Sequence, residues 1–241
     1  MNRPEHRPWI IAHRGASRAA PGNTIEAFRI AAEMGADAVE LDVRRTADGE
    51  IVVHHDDSLP KAGPIVELSH AEIRRAAPYV PTLAEALDAC RGMWVNIEVK
   101  NSPVDRDWDP DDTVLGPLLD RVDRSGHDGA TLVSSFNPGT VARAKRLGVR
   151  TGWLVAPGLP SRPVITQAAG GEHTSVHPHV SALQGESGER LIETAHEAGL
   201  QVICWTLDDP DEQRRLSAFG IDGIITNRPD EALQALEGSE S

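Results

Sequence analysis

Cysteine is nearly missing from this chain: two residues in 241, Cys90 and Cys204. They lie far apart and lack the close spacing of metal-binding pairs, so neither a disulfide framework nor a thiolate zinc site is written into the sequence. A reduced interior is the simplest reading, with Cys90 ending a helix and Cys204 in a strand. Long apolar runs are missing too. The stretch from Met1 to Pro8 leads into only four apolar residues, Trp9 to Ala12, too few for a signal-peptide core or a membrane span. The expectation is a cytoplasmic protein with no stable membrane association. Positive charge is scarce: 24 Lys and Arg stand against 37 Asp and Glu, a formal net charge of −13. Nucleic acid and anionic membrane surfaces need a basic footprint, so neither is an expected partner. Any anionic small molecule must instead be met by local positive charge. There is no solenoid repeat and no low-complexity linker, and Glu237 to Ser241 read as a frayed tail.

What is present suits a globular fold. The composition is 39% hydrophobic and 25% charged, enough for a sizeable core, and 241 residues fit one α/β barrel, residues 1–241 forming a single domain. Short β-rich runs at 9–13, 38–43, 94–99, 131–135, 151–155, 174–177, 201–206 and 222–226 alternate with helical patterns at 24–34, 82–90, 112–125, 138–147, 187–198, 210–218 and 229–236. Alternation of this kind implies βαβ units and a parallel sheet, and eight strands is the number of a TIM (β/α)8 barrel. Punctuation agrees. Asn23 with Glu26 offers a capping-box-like start, Pro138, Pro210 and Pro229 fit first helical turns, and Gly35, Gly126, Gly148, Gly199 and Gly220 fall where helices should stop. Pro160, Pro163 and Gly170-Gly171 predict a short or irregular helix in 160–171.

Residues 44–81 break the rhythm. An Asp48-Gly49 turn between Arg44-Arg45-Thr46 and Ile51-Val52-Val53 reads as a hairpin extending the second strand, followed by a polar, proline-bearing excursion to Pro81. In a barrel this small insertion after strand two lies at the carboxyl end, where sites form, and carries His55-Asp56 toward it.

The chemistry-bearing residues sit on strand ends. Side chains alternate faces along a strand, so Glu40 and Asp42 share one face and Asn96, Glu98 and Lys100 share another, with apolar residues opposite. Such a polar face is costly unless its charges pair or bind an ion. Glu40, Asp42 and Glu98 offer hard oxygen ligands suited to Mg²⁺ or Ca²⁺ rather than zinc. The plainer reading is ion pairing, Glu40 with Arg44 or Glu98 with Lys100. His13 closes the first strand beside Arg14 and Gly15, and His55 stands beside Asp56, which could orient its ring; His54 should point the other way. Two imidazoles across a P–O bond suffice for acid–base hydrolysis. Arg14 and Lys100 supply positive charge for an anion. His177-Pro178-His179 has a ligand-like spacing without a partner motif, and His6, His70, His127, His173 and His196 read as surface residues. Trp205 is either core or an aromatic wall to the substrate. Asn227-Arg228-Pro229 either approaches phosphate or caps the last helix.

In order and combination, His13-Arg14-Gly15, Asn23-Thr24, Glu40-Leu41-Asp42-Val43, His55-Asp56, Ile97-Glu98-Val99-Lys100, Ser135-Phe136, Trp205-Thr206 and Gly223 to Pro229 resemble the glycerophosphodiester phosphodiesterase family nearly end to end. The resemblance implies a TIM barrel with an insertion after strand two, and hydrolysis of small-molecule glycerophosphodiesters to sn-glycerol 3-phosphate and an alcohol. It implies His13 and His55 as the acid–base pair, Glu40, Asp42 and Glu98 as ligands to a divalent metal, Mg²⁺ or Ca²⁺, and Arg14 and Lys100 on phosphate oxygens. It further implies attack by the glycerol 2-hydroxyl, giving a cyclic phosphate that water opens. Two departures stand out: Gly22 replaces the Glu of the family's usual Pro-Glu-Asn-Thr, and Leu207-Asp208 replaces its usual Val-Asn. A lysophospholipase D-like activity on the same barrel would need an apolar channel, of which 4% aromatics give little sign. A catalytically silent binding barrel is the third reading, hinted at by Gly22 alone. The sequence is silent on oligomeric state.

Overall fold

The β-branched and leucine-rich runs pair into a closed cylinder in the computed structural model, which describes residues 6–237. The strands are β1 (Trp9–His13), β2 (Ala38–Arg45), β3 (Ile51–Val53), β4 (Ser58–Leu59), β5 (Gly63–Pro64), β6 (Trp94–Val99), β7 (Thr131–Ser135), β8 (Arg150–Val155), β9 (Ser175–Pro178), β10 (Gln201–Cys204) and β11 (Gly223–Thr226). Eight of them, β1, β2 and β6 to β11, are joined in parallel, and the pairing of Ile11 to His13 with Ala38 to Glu40 closes the ring. The helices are α1 (Ile25–Glu33), α2 (His70–Ala76), α3 (Leu83–Ala89), α4 (Leu115–Ser125), α5 (Pro138–Arg146), α6 (Ser161–Gly170), α7 (Gly185–Glu197), α8 (Pro210–Ala218) and α9 (Pro229–Glu237). All but α2, which lies in the insertion, and α9, which follows the last strand, connect consecutive barrel strands, so the architecture is the TIM barrel. The expected tail residues 238–241, and residues 1–5, lie outside the described residues.

The sequence-based boundaries shift by small amounts. Strand β10 ends at Cys204 rather than 206, with Trp205 reaching on to a single bridge with His179. Helix α6 differs from expectation: residues 161–170 form ten regular helical residues. Pro163 falls in the first turn, where its missing N–H has no helical acceptor to lose, and Gly170 falls at the last position, so neither breaks the helix. The Asp48-Gly49 hairpin forms, with Val43 to Arg45 antiparallel to Val53 to Ile51. The insertion also contains α2, capped by the Ser69 and Glu72 box, which the short polar segment conceals.

Alternation along each strand separates two cores. Outward-facing Val39, Leu41, Val43, Val95, Ile97 and Val99 pack under α1, α3 and α4, and Val176, Val202, Cys204 and Ile224 pack under α6 to α9. The cylinder's own lower interior holds Trp9, Ile11, Ala38, Ile203 and Ile225, with Trp94 standing edge-on to Trp9 at 5.4 Å between ring centres. This apolar plug leaves the polar inward residues gathered at the carboxyl ends of the strands. Cys90 and Cys204 are both free and buried, and burial pushes each thiol up to about 12.

Leu41 is fully buried between Glu40 and Asp42. Leu41→Ala should cost about 2–5 kcal/mol, measured as a lower urea midpoint with an unchanged slope.

Candidate active site

Strand β1 delivers His13 to the rim, and the chain then turns back through left-handed backbone at Arg14 (φ 57°) and Gly15 (φ 81°). A Cβ at Gly15 would stand 2.6 Å from the Ala27 backbone, so only glycine lets this turn lie against α1. The turn points the Arg14 backbone N–H at Glu40 Oε2, 3.1 Å away.

Glu40, Asp42 and Glu98 converge as the strand pattern requires, since Asp42 pairs in register with Glu98 and Glu40 with Asn96. One carboxylate oxygen from each of Glu40, Asp42 and Glu98 lies within 4.8 Å of the others, and all three residues are buried. Lys100 Nζ sits 3.0 Å from Asp42 Oδ1 and 2.5 Å from Glu98 Oε1. Arg14 Nε is 3.2 Å from Asp42 Oδ2. Burial alone would raise the Asp42 carboxyl, but Lys100, Arg14 and a bond from Asn23 hold it down to about 2. Burial and the neighbouring acids push Glu98 up to about 7 and Glu40 well above the carboxylate range. Burial would lower the Lys100 ammonium, and Asp42 and Glu98 overcome it and raise it.

The alternative pairing of Glu40 with Arg44 does not form, whereas that of Glu98 with Lys100 does. Arg44, almost fully buried, instead donates Nη1 to both oxygens of Asp107 at 2.6 Å, Nη2 to Asp105 at 3.2 Å and Nε to the His55 carbonyl at 2.9 Å. It thereby ties the inserted hairpin to the segment after β6 and fixes the backbone that carries His55. Asn23 is likewise not the helix cap. Thr24 caps α1 by accepting from the Ala27 N–H, while Asn23, at φ 60°, donates Nδ2 to Asp42 Oδ2 at 2.7 Å. Asparagine tolerates left-handed backbone better than most residues, which is the only signal the sequence offered for this placement.

His13, Arg14, Glu40, His55, Glu98 and Lys100 line one cavity of about 260 Å³, and Phe136, Leu154, Trp205 and Ile225 give it an apolar wall. Trp205 meets Phe136 and His179 edge-on at 5.4 and 4.9 Å and donates its indole N–H to the His177 carbonyl at 2.8 Å. His55 Nδ1 lies 2.8 Å from Asp56 Oδ1, whereas His54 turns to the Asp56 carbonyl. Burial chiefly, with Arg14 and Lys100 nearby, lowers the His13 imidazole against a hydrogen bond to Asn227 that raises it. Burial and Lys100 lower that of His55.

Asn227 neither reaches outward nor serves merely as a cap. Its Oδ1 lies 2.7 Å from His13 Nδ1 and accepts from the Ser17 hydroxyl at 2.8 Å, and its Nδ2 donates to Asp208 at 2.7 Å. No spacing in the sequence announces this link, because His13 and Asn227 are 214 residues apart and meet only through closure of β1 on β11. Gly22 stands beside Arg14, where a Cβ would be 3.0 Å from the Arg14 Cβ.

The remaining histidines divide. His177 is fully buried inside the barrel, hydrogen-bonded to Ser175 at 2.8 Å, and burial holds it down to about 3, so it is a neutral packing residue. His127 and His173 are also buried, contrary to the surface expectation. Each follows a helix and folds back beneath the next strand, His173 onto Thr151 Oγ1 and His127 beside Ser125. His6 and His196 are exposed and His70 is half-buried.

The donor set of the acid cluster is all oxygen, small and buried, which fits a hard divalent cation and not a thiophilic one. Three carboxylates confined in so little space repel one another, and a dication held there would supply the charge that Lys100 and Arg14 only partly offset.

A parallel eight-stranded barrel with acids, cations and two imidazoles around one cavity at its carboxyl mouth defines a barrel enzyme built for an anionic substrate. Residues 13–231 match the glycerophosphoryl diester phosphodiesterase family. The glycerophosphodiester phosphodiesterase of Caldanaerobacter subterraneus is 30% identical over 92% of this chain and 94% of its own length. The probable glycerophosphodiester phosphodiesterase 2 of Mycobacterium tuberculosis is 32% identical over 91% of this chain and 87% of its own. Among solved structures, a phosphodiesterase of Oleispira antarctica in complex with the product sn-glycerol-3-phosphate aligns with a TM-score of 0.83 at 25% identity, covering 96% of this chain and 98% of that one. The glycerophosphodiester phosphodiesterase of Thermotoga maritima aligns at 0.82 and 25%, over 96% and 99%. The chain belongs to the glycerophosphoryl diester phosphodiesterase family and is a phosphoric diester hydrolase. Among the described residues, no helix is long and apolar enough to cross a membrane.

The raised Glu98 carboxyl makes the metal-free site a cost to folding. A folded-state pKa of about 7 against the ordinary glutamate value of 4.5 means that Glu98 contributes stability below the unfolded value, which is lost as pH rises through 7. In EDTA, Glu98→Gln should therefore raise the melting temperature at about pH 8 and leave it nearly unchanged near pH 4.5. An equal shift at both pH values would contradict the assignment.

Proposed function

We propose that the protein hydrolyses glycerophosphodiesters to sn-glycerol 3-phosphate and an alcohol, with His13 and His55 exchanging protons with the ester and Glu40, Asp42 and Glu98 holding a divalent cation, Mg²⁺ or Ca²⁺. The observation that carries the reading is a cavity of about 260 Å³ lined by both imidazoles and by Glu40 and Glu98, with Asp42 completing the acid cluster. That volume suits a glycerol phosphate and not an acyl chain of lipid length, which favours the small diester over a lysophospholipid.

The residues divide the work by their surroundings. Lys100 and Arg14 bring positive charge to the mouth where the phosphoryl oxygens would lie. Burial and nearby cations keep both imidazoles below their ordinary value, which favours a neutral ring as the base; the partner that serves as acid enters the step as imidazolium and leaves it neutral. One imidazole takes the proton of the glycerol 2-hydroxyl as that oxygen bonds to phosphorus, and the other gives a proton to the departing alcohol. Water then opens the cyclic phosphate with the two roles reversed. Trp205 and Phe136 wall the carbon skeleton of glycerol. A bound dication supplies Lewis-acid stabilisation of charge on the phosphoryl oxygens. The acid ring is intact despite Gly22, which favours catalysis over silent binding. The reading also takes residues 1–241 as one domain that acts in the cytoplasm.

Purified protein should release sn-glycerol 3-phosphate from glycerophosphocholine or glycerophosphoethanolamine, stop in EDTA and recover with Mg²⁺ or Ca²⁺. His13→Ala and His55→Ala should each lower kcat by about 100-fold or more. Turnover of lysophospholipids alone, or metal binding without turnover of either class, would overturn the proposal.

A further inference from the structure

The His13 ring is held from behind by a chain of hydrogen bonds whose direction is fixed by chemistry. Asp208, in the segment after β10, accepts from the Asn227 backbone N–H and the Thr226 hydroxyl at Oδ1, both at 2.8 Å, and from Asn227 Nδ2 at Oδ2, at 2.7 Å. These donors hold the Asp208 carboxyl below its ordinary value against the burial that would raise it. An ionised carboxylate only accepts, so the Asn227 amide must face it with Nδ2. The other end of the same amide, Oδ1, is thereby turned to His13 Nδ1 at 2.7 Å and to the Ser17 hydroxyl at 2.8 Å. A carbonyl oxygen also only accepts, so Nδ1 carries the hydrogen and the lone pair of the neutral ring lies at Nε2.

We propose that Asp208 is a positioning residue for His13, acting through Asn227 to hold the ring as the Nδ1–H tautomer with Nε2 as the atom that exchanges the proton. His55 has no equivalent relay: its Nδ1 meets the exposed Asp56 directly. The opposite His13 tautomer would present an N–H to the cavity and could accept no proton there. The part that concerns hydrolysis rests on the function proposed above; the tautomer itself does not.

The minimal perturbation is Asp208→Asn. To keep the bonds from the Asn227 backbone and Thr226, the new amide places its NH₂ against Asn227, whose own amide must then turn over and offer Nδ2 to His13. The ring should shift to the Nε2–H form, read directly from ¹⁵N-histidine ring correlations in the substrate-free protein, with His13 assigned through His13→Gln. kcat on glycerophosphocholine should fall about 100-fold with little change in KM. The exchange Asp208→Asn with Asn227→Asp lets the amide at 208 donate to the carboxylate at 227, which again accepts from Nδ1. It should restore the tautomer and bring kcat to within about tenfold of the parent. If the single variant does not fold, Asn227→Ala removes the acceptor and should release the same tautomer shift. An unchanged Nδ1–H signal in a folded variant overturns the proposal, as does an exchanged pair no more active than Asp208→Asn. A ring that shifts in a protein without phosphodiesterase activity would uphold the positioning and overturn the hydrolytic reading, so the two failures are distinct.

Discussion

Three carboxylates confined within 4.8 Å of one another, out of water, are the constraint around which this site is arranged. Left alone they would protonate or push the strands apart. Lys100 and Arg14 offset part of the repulsion and select Asp42 as the ionised member, while Asn23 reaches 19 residues along the chain to complete its hydrogen bonding. The barrel supplies the force that holds them. The strands carrying the acids are anchored by fully buried Leu41 and Ile97 on their reverse faces, so the polar edge cannot relax without opening the apolar core. Packing energy on one face is thus spent to maintain electrostatic strain on the other.

The same alternation explains how much could be read beforehand. Glu40 with Asp42 and Glu98 with Lys100 were placed correctly because a period of two is local to each strand and the barrel register does the rest. The hairpin after Arg44 was legible from Asp48-Gly49. What escaped was every contact made by closure or by a loop folding back. Asn227 on His13, Arg44 on Asp107 and Asn23 on Asp42 join residues brought together by topology, and no local pattern encodes them. His127 and His173 escaped for a related reason: a polar residue after a helix reads as solvated until the turn is seen to tuck beneath the next strand. The proline-containing segment 160–171 misled in the other direction, because a proline breaks a helix only where its nitrogen would have donated.

The two imidazoles differ in what supports them. His13 belongs to a barrel strand and is backed by side chains from the segments after β10 and β11, so its setting is that of the fold itself. His55 belongs to the inserted hairpin and owes its position to Arg44 and an exposed acid.

This asymmetry has a consequence for how the scaffold diversifies. A hairpin appended to the rim, latched by one buried guanidinium to the loop of the neighbouring strand, is a replaceable part. Altering its length or its latch would move the His55 ring relative to an otherwise fixed set of acids, and so reshape one wall of the cavity while the barrel's own residues keep their places.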